Sequence, residues 1–404
     1  MLTFEPRNST WDMAYNFDLP VSRQGTSSVK YDSRKEVFGT DNVIPMWLAD
    51  MDFLCPPFIV EALRKRLDHE ILGYTIRRRE YFTSLSDWIR RRHSWDIEND
   101  WISFSPGIVP ALNICTLAFT GQGDKIIIQP PVYFPFFNAI TDHKRVPVYN
   151  RLIEEKGTWK IDFDDLEHKA AGGVKMLILC NPHNPVGRAW TAAELEQLAD
   201  ICLRHDILIL SDEIHSDLVL PAYRHIPLAD LSERAAASTI TCMAPSKTFN
   251  IAGLSTSSVI ISNPDLKKKF DTCMQSLRIT GGNIFGNEAS IAAYSHGDEW
   301  LDEMLSYVNR NIEYVLEKFR NNKLIRPVPP EATYMIWLDC RAMGMKPDEL
   351  NKFFVDEAAV GMSEGSVFGP GGEGFMRMNV ACRLDTVKEA VENMETALLK
   401  LENK

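Results

Sequence analysis

Three apolar runs organise this chain: Val174 to Leu179, Ile207 to Leu210 and Ser238 to Met243, each ending in a polar, turn-forming segment. Those segments are Asn181-Pro182-His183-Asn184-Pro185-Val186-Gly187, Ser211-Asp212-Glu213-Ile214-His215 and Ala244-Pro245-Ser246-Lys247-Thr248-Phe249-Asn250. Short continuous apolar runs of this kind predict buried strands in a mostly parallel sheet, whose strand ends line one crevice. Lys125 to Gln129 predicts another strand, and Ser105 to Pro110 leads into a helical pattern carrying Ala111, Leu112, Cys115 and Leu117. Trp300 to Phe319 predicts a long helix, with Leu301, Met304, Leu305, Val308 and Ile312 at helical spacing. The alternation of strand-like and helical stretches runs from about residue 60 to 295 and predicts a large central domain.

Composition narrows the picture without deciding it. At 404 residues and 45% hydrophobic content, the chain can bury a large core divided between two or more domains. Its net charge of −11 argues against nonspecific binding to nucleic acid or anionic membranes. Met1 to Arg7 lacks a basic segment followed by a long apolar one, and no later apolar run reaches the length of a membrane span. The eight cysteines form no CxxC pair or metal-ligand spacing, and Cys180, Cys202 and Cys242 lie in or beside apolar runs. Reduced core thiols, no bound metal and a cytoplasmic location are therefore expected. The basic clusters Arg77-Arg78-Arg79 and Arg90-Arg91-Arg92 read as a solvated helix face.

The chemistry sits at the strand ends. A lysine, an aspartate and an asparagine converging on one crevice point to pyridoxal 5′-phosphate. Lys247 can hold the cofactor aldehyde and serve as a proton shuttle if burial lowers its pKa. Asp212 beside the pyridine nitrogen would keep that nitrogen protonated, so that the ring can absorb electrons from the substrate's α-carbon. Asn184 can donate to the ring's phenolic oxygen. Gly107 permits a tight turn, Pro110 suits a first helical position, and free N–H groups at that helix start favour an anion. Tyr133 can stack on the ring or pack as a core aromatic beside Phe134, Phe136 and Phe137.

The ordered set SPGIVPAL, PVYFPF, NPHNPVG, SDEIHSDL, APSKTFNIAGL and FMRMNVACR resembles the fold-type I pyridoxal-phosphate enzymes of the class I/II aminotransferase family over most of the chain. Ile44-Pro45-Met46-Trp47-Leu48-Ala49-Asp50-Met51-Asp52-Phe53, with Gly73-Tyr74 and Asn283-Ile284-Phe285-Gly286, resembles the MalY/PatB-type branch of carbon–sulfur β-lyases. The resemblance implies an α/β fold: a large domain over 60–295 with a mostly parallel seven-stranded sheet between helices, and a smaller α/β domain from 1–59 and 296–404. It implies Lys247 as the catalytic lysine, Asp212 at the pyridine nitrogen, Asn184 at the phenolic oxygen and Tyr133 on the ring. Gly107, Ile108, Val109 and Ser246 would seat the phosphate, joined by Tyr74 from the opposite subunit of a homodimer with shared sites. Arg377 would clamp the substrate carboxylate, with Arg383 and Arg341 the better candidates for plain surface arginines. Trp47, Ala49 and Asn184 would also face the substrate.

Two departures stay open. His215 stands where many aminotransferases have a tyrosine, so it either contacts the cofactor or is a structural histidine. Ser255 stands where aspartate aminotransferases place an arginine, which leaves the phosphate's charge partner unidentified. The implied activity is cleavage of cystathionine or another cysteine thioether to a thiol, pyruvate and ammonia. Transamination shares its early steps, and a regulatory role through binding another protein is a third reading. Either Asn184-Pro185 or Pro130-Pro131 is expected to be cis.

Overall fold

The computed structural model describes residues 15–402, Lys156 and Thr280 excepted. The Met1 to Arg7 segment considered above for targeting lies outside the described residues. In chain order the strands are β1 (Ile44–Pro45), β2 (Ile102–Ser105), β3 (Lys125–Ile128), β4 (Val146–Tyr149), β5 (Ile153–Glu155), β6 (Thr158–Lys160), β7 (Val174–Cys180) and β8 (Leu208–Asp212). They continue with β9 (Thr239–Met243), β10 (Ser257–Ile260), β11 (Arg326–Val328), β12 (Met335–Asp339), β13 (Val360–Gly361), β14 (Ser363–Glu364) and β15 (Phe375–Asn379).

Seven of these form the expected central sheet, in the order β2-β10-β9-β8-β7-β3-β4. The β9-β8-β7-β3-β4 neighbours are parallel, whereas β10 runs antiparallel to both β9 and β2. That arrangement leaves β2 pointing the same way as β9, so the C-terminal ends of β2, β3, β7, β8 and β9 share one edge. β9 is buried throughout and β7 at every residue but Lys175, as expected for a sheet covered on both faces.

A second sheet, β11-β12-β15-β14, is wholly antiparallel and carries Arg377 on β15. The Asp298–Lys318 helix begins two residues before the position predicted from its apolar stripe, because Asp298 and Glu299 suit the positive end of the helix dipole. β8 likewise extends past its apolar run, since Ser211 and Asp212 pair with β7 and β9. Pro110 is the third helical residue of Ile108–Phe119 rather than the first, a position where its missing N–H still costs no intrahelical bond.

The basic clusters divide. Arg90, Arg91 and Arg92 lie along the Arg79–His93 helix and pair with Asp87, Asp96, Asp298 and Asp302, as a solvated face should. Arg77 departs from that reading: it is half-buried, with its guanidinium 4.8 Å from the centre of the Phe104 ring. Pro130-Pro131 and Asn184-Pro185 are both cis, as is Asn181-Pro182.

The segment 46–53 has almost no regular structure, and side chains from both sheets' surroundings satisfy its backbone. Parallel pairing of β1 with β13 starts it on the C-terminal part of the chain. Asn379 donates to the carbonyls of Leu48 and Asp50 at 2.6 and 2.7 Å. From the other side, Asn250 accepts from Met51 N–H at 3.0 Å and donates to the carbonyls of Met51 and Phe53 at 3.0 and 3.1 Å. Arg23 and the buried Lys30 hold Asp52 at 2.7 and 3.0 Å. Replacing Asn250 by Ala leaves buried backbone groups unpaired, at a cost of about 1–3 kcal/mol. The residue also sits at φ +57°, where Asn is tolerated better than Ala. Urea unfolding should show a lower midpoint for Asn250→Ala with an unchanged slope; an unshifted midpoint would mean that other contacts hold the segment.

Candidate active site

The shared edge of the parallel strands opens into a cavity of about 200 Å³. Its walls include Ala49, Gly107, Ile108, Val109, Tyr133, Asn184, Asp212, His215, Ser246 and Lys247, all of them anticipated from the sequence. Tyr74, Trp47 and Arg377 do not line it.

Lys247 arrives at the end of β9, on the one-turn helix Pro245–Thr248. Its amine is buried and donates to the Ala49 carbonyl. Burial pushes the amine down from its ordinary range to about 8; Asp50 and Asp212 oppose that shift, and Arg377 adds to it. Asp212 ends β8 and is 2% exposed. Burial raises its carboxyl to about 7, against a bond from the Ile214 N–H at 3.1 Å and the attraction of Lys247. Two groups that would carry opposite full charges in water thus stand near the middle of their titrations in the same cavity, which is common at functional sites.

His215 is also buried. Removal from water, with Lys247 and Arg377 nearby, lowers its imidazole to about 3, so the ring is neutral. Its Nδ1 has no partner among the described residues, and its ring meets that of Tyr334 nearly edge-on at 6.4 Å. Tyr133 packs against Phe134 and Phe136 while facing the cavity, and burial raises its phenol.

The cavity lining also includes the start of the Ile108–Phe119 helix. Its first backbone bond runs from Ala111 N–H to the Gly107 carbonyl, so the Ile108 and Val109 N–H groups are unused by the helix. Gly107 has φ +153°, which glycine adopts without strain. Three hydroxyl residues, Ser246, Ser255 and Thr256, also line the cavity. Thr256 is 3% exposed, and its hydroxyl has no partner among the described residues. Sequence reasoning passed over Thr256; the signal available was its position beside Ser255, one residue before β10.

Arg377 reaches the cavity from the other sheet, through Asn184. It donates to Asn184 Oδ1 at 3.1 Å, to the Trp47 carbonyl at 2.7 Å and to Ser363 Oγ at 3.2 Å. The first bond fixes the Asn184 amide with its oxygen toward the arginine. Burial lowers Arg377 to about 10, and its Nε lacks a partner among the described residues. Arg341 and Arg383 are more exposed and pair with Asp339 and Asp385, in line with their reading as surface arginines. Trp47 contributes its carbonyl to Arg377, while its indole donates to the Lys30 carbonyl at 3.1 Å and meets Phe38 edge-on. Tyr74 is fully exposed and lines a separate groove with Gly281, Gly282 and Asn283.

These donors and acceptors fit pyridoxal 5′-phosphate. The cavity offers an amine, a carboxyl able to face a ring nitrogen, an amide, and an anion seat of unused N–H groups with a partnerless Thr256 hydroxyl. Among the described residues, no cluster of His, Cys, Asp and Glu is arranged to hold a metal ion.

The family model for aminotransferase class I and II matches residues 42–394. The cystathionine β-lyase PatB of Bacillus subtilis is 43% identical over 386 residues, covering 95% of this chain and 100% of that protein. Cystalysin from Treponema denticola, solved with pyridoxal 5′-phosphate, superposes with a TM-score of 0.94 at 38% identity, covering 96% of this chain and all of that one. The pyridoxal-phosphate-bound C–S lyase from Staphylococcus hominis superposes with a TM-score of 0.88 at 34% identity, covering 95% and 98%.

The two depressed and raised groups give separate expectations for the cofactor-free protein. An amine-reactive reagent should label Lys247 with a midpoint at pH about 8, and a midpoint above 10 would remove the argument from burial. Between pH 3.8 and about 7 the folded protein holds a proton at Asp212 that the unfolded chain has lost. Its stabilising contribution therefore falls as pH rises through that window, and Asp212→Asn should flatten this part of the stability profile.

Proposed function

The chain belongs to the class I and II aminotransferase family, and from this we propose that it is a pyridoxal 5′-phosphate-dependent carbon–sulfur β-lyase, cleaving cysteine thioethers to a thiol, pyruvate and ammonia. The observation that carries the reading is the convergence of Lys247, Asp212 and Asn184 on one cavity, in a chain whose relatives over nearly its full length include the cystathionine β-lyase PatB and the Staphylococcus hominis C–S lyase.

When bound, the cofactor supplies an aldehyde that links to amines and a protonated ring that takes up the electron pair left at the substrate's α-carbon. We assign the aldehyde partner to Lys247. Its lowered pKa leaves a substantial neutral fraction near pH 7–8, so the freed amine can take the α-proton; such a group typically contributes about 10² to 10⁴ in rate. Asp212 would face the ring nitrogen, where a cationic N–H would draw its carboxyl back to the charged form. Asn184, its oxygen held by Arg377, would present its NH₂ to the phenolic oxygen. Gly107, Ile108, Val109 and Ser246 would seat the phosphate, and Tyr133 would cover the ring.

Arg377 would clamp the substrate carboxylate with its planar donor face. Expulsion of the thiolate from the β-carbon follows loss of the α-proton, and addition of water releases pyruvate and ammonia. Ala49 and Trp47 would border the substrate, Trp47 through the backbone that also holds Arg377.

We further propose a cytoplasmic homodimer in which Tyr74 completes the neighbour's phosphate seat. Full exposure of Tyr74 amid exposed Ile71, Leu72 and Ile76 supports this, and eight free cysteines suit a reducing compartment. We also propose a large domain over 60–295, with 1–59 and 296–404 forming a smaller one; the separate seven-stranded and four-stranded sheets support this division.

With L-cystathionine or a similar thioether, pyruvate and thiol release should exceed amino transfer to any common 2-oxo acid. Dominant transamination with no pyruvate from any thioether would overturn the lyase reading and leave the family assignment in place. Lys247→Ala should lose the visible absorbance and turnover together, while Arg377→Ala should weaken all thioethers alike. For the shared site, mixing inactive Lys247→Ala and Tyr74→Phe subunits should partly restore activity through hybrid dimers; no recovery despite subunit exchange would exclude it.

A further inference from the structure

Behind the lysine, outside the cavity walls, lies a buried carboxylate that the proposed chemistry does not use. Asp217 is 8% exposed and follows β8 by one tight turn. Its Oδ1 accepts from Trp88 Nε1 at 2.9 Å and pairs with His93 Nε2 at 2.9 Å, and its Oδ2 accepts from Thr248 Oγ1 at 2.8 Å. We propose that Asp217 is a positioning residue for Lys247, acting through the Thr248 hydroxyl. This rests on the reading above that Lys247 carries the chemistry.

The lysine-bearing helix is a single turn, Pro245–Thr248, and one turn has no stability of its own. Its orientation is set by what grips it. Consecutive helical residues point about 100° apart, so Thr248 can be gripped from behind while Lys247 enters the cavity. A hydroxyl-to-carboxylate bond is directional, unlike the apolar packing around it, and a charged acceptor makes it about twice as strong as a neutral one. Burial pushes the Asp217 carboxyl up, but the bonds from His93, Thr248 and Trp88 outweigh it and hold the group below its usual range. The acceptor therefore stays charged at neutral pH.

A second contact grips the same lysine turn. Trp88, on the Arg79–His93 helix, also packs its ring 5.6 Å from that of Phe249, the residue that ends the lysine turn. Trp88 and His93 thus fix Asp217, and Asp217 fixes Thr248. Burying a charge with no ligand to contact is costly unless it is paired. A positioning task accounts for its place here: displacement of a reacting group by about 1 Å can cost about 10²-fold in rate.

The test compares Thr248→Val, Thr248→Ser and Asp217→Asn. Cofactor-free protein is mixed with pyridoxal 5′-phosphate and the rate of covalent capture is read from visible absorbance; kcat and KM for pyruvate release are measured on the loaded enzyme. Thr248→Val should slow capture and lower kcat by about tenfold with KM within about twofold, as expected for misplacement of the reacting amine. Thr248→Ser should restore both. Asp217→Asn replaces the charged acceptor by a neutral amide that can still bond the hydroxyl, so it should slow capture and lower kcat in the same direction as Thr248→Val but by less. The double variant should be no slower than Thr248→Val alone, because valine has already removed the bond through which Asp217 acts. Wild-type capture rates in Thr248→Val, or a loss that serine does not restore, would overturn the proposal. If Asp217→Asn does not fold, the Thr248 pair decides alone. Failure of the Lys247 reading itself would show separately, as capture by Lys247→Ala equal to wild type.

Discussion

Removal of the Lys247 amine from water is the constraint on which the rest of the site depends. A buried ammonium is costly, so the fold answers by lowering its proton affinity and by supplying an acceptor, the Ala49 carbonyl. That carbonyl also accepts from Tyr334 at 3.1 Å, so it has a partner whether or not the lysine occupies it. The amine is thereby free to leave without stranding a buried acceptor, a useful property in a group proposed to exchange partners during turnover.

The same constraint explains why the 46–53 segment is stitched so firmly despite lacking regular structure. Its backbone forms one wall of the cavity at Ala49 and, two residues earlier, holds Arg377 through the Trp47 carbonyl. Asn379 on the antiparallel sheet and Asn250 beside the lysine turn each bond to its backbone groups. A wall built from side-chain-to-backbone bonds can follow a path that neither a helix nor a strand allows, provided every buried carbonyl finds a donor.

One bond that joins the surroundings of the two sheets runs from Arg377 on β15 to Asn184, just past β7. Arg377 alone would be a buried cation with few acceptors. Its bonds to Asn184, Ser363 and the Trp47 carbonyl spread that cost and orient the asparagine amide in the same stroke. The proposed clamp for the substrate and the proposed donor toward the ring are thus coupled, and disturbing either sheet's register would move both.

How much of this was legible without coordinates follows from the range over which each signal acts. Apolar runs ending in turn residues are local signals, so β7, β8 and β9 and the residues at their ends, Asn184, Asp212 and Lys247, could be read directly from the chain. So could the glycine that opens the Ile108–Phe119 helix, because a glycine before a helical pattern carries its own geometry. The extra reach of β8 through Ser211 and Asp212 could not, since ladder pairing with two neighbours, not side-chain polarity, decides where a central strand ends. Thr256 is an ordinary hydroxyl in sequence; only antiparallel β10, starting at the shared edge, places it in the cavity. Asp217, five residues past Asp212, reads as another loop carboxylate until Trp88, His93 and Thr248 are brought around it from distant parts of the chain. The sequence by itself determined which chemical groups stand at the strand ends. Tertiary structure alone decided which of them are buried and paired, because desolvation and long-range hydrogen bonds depend on neighbours that no local pattern encodes.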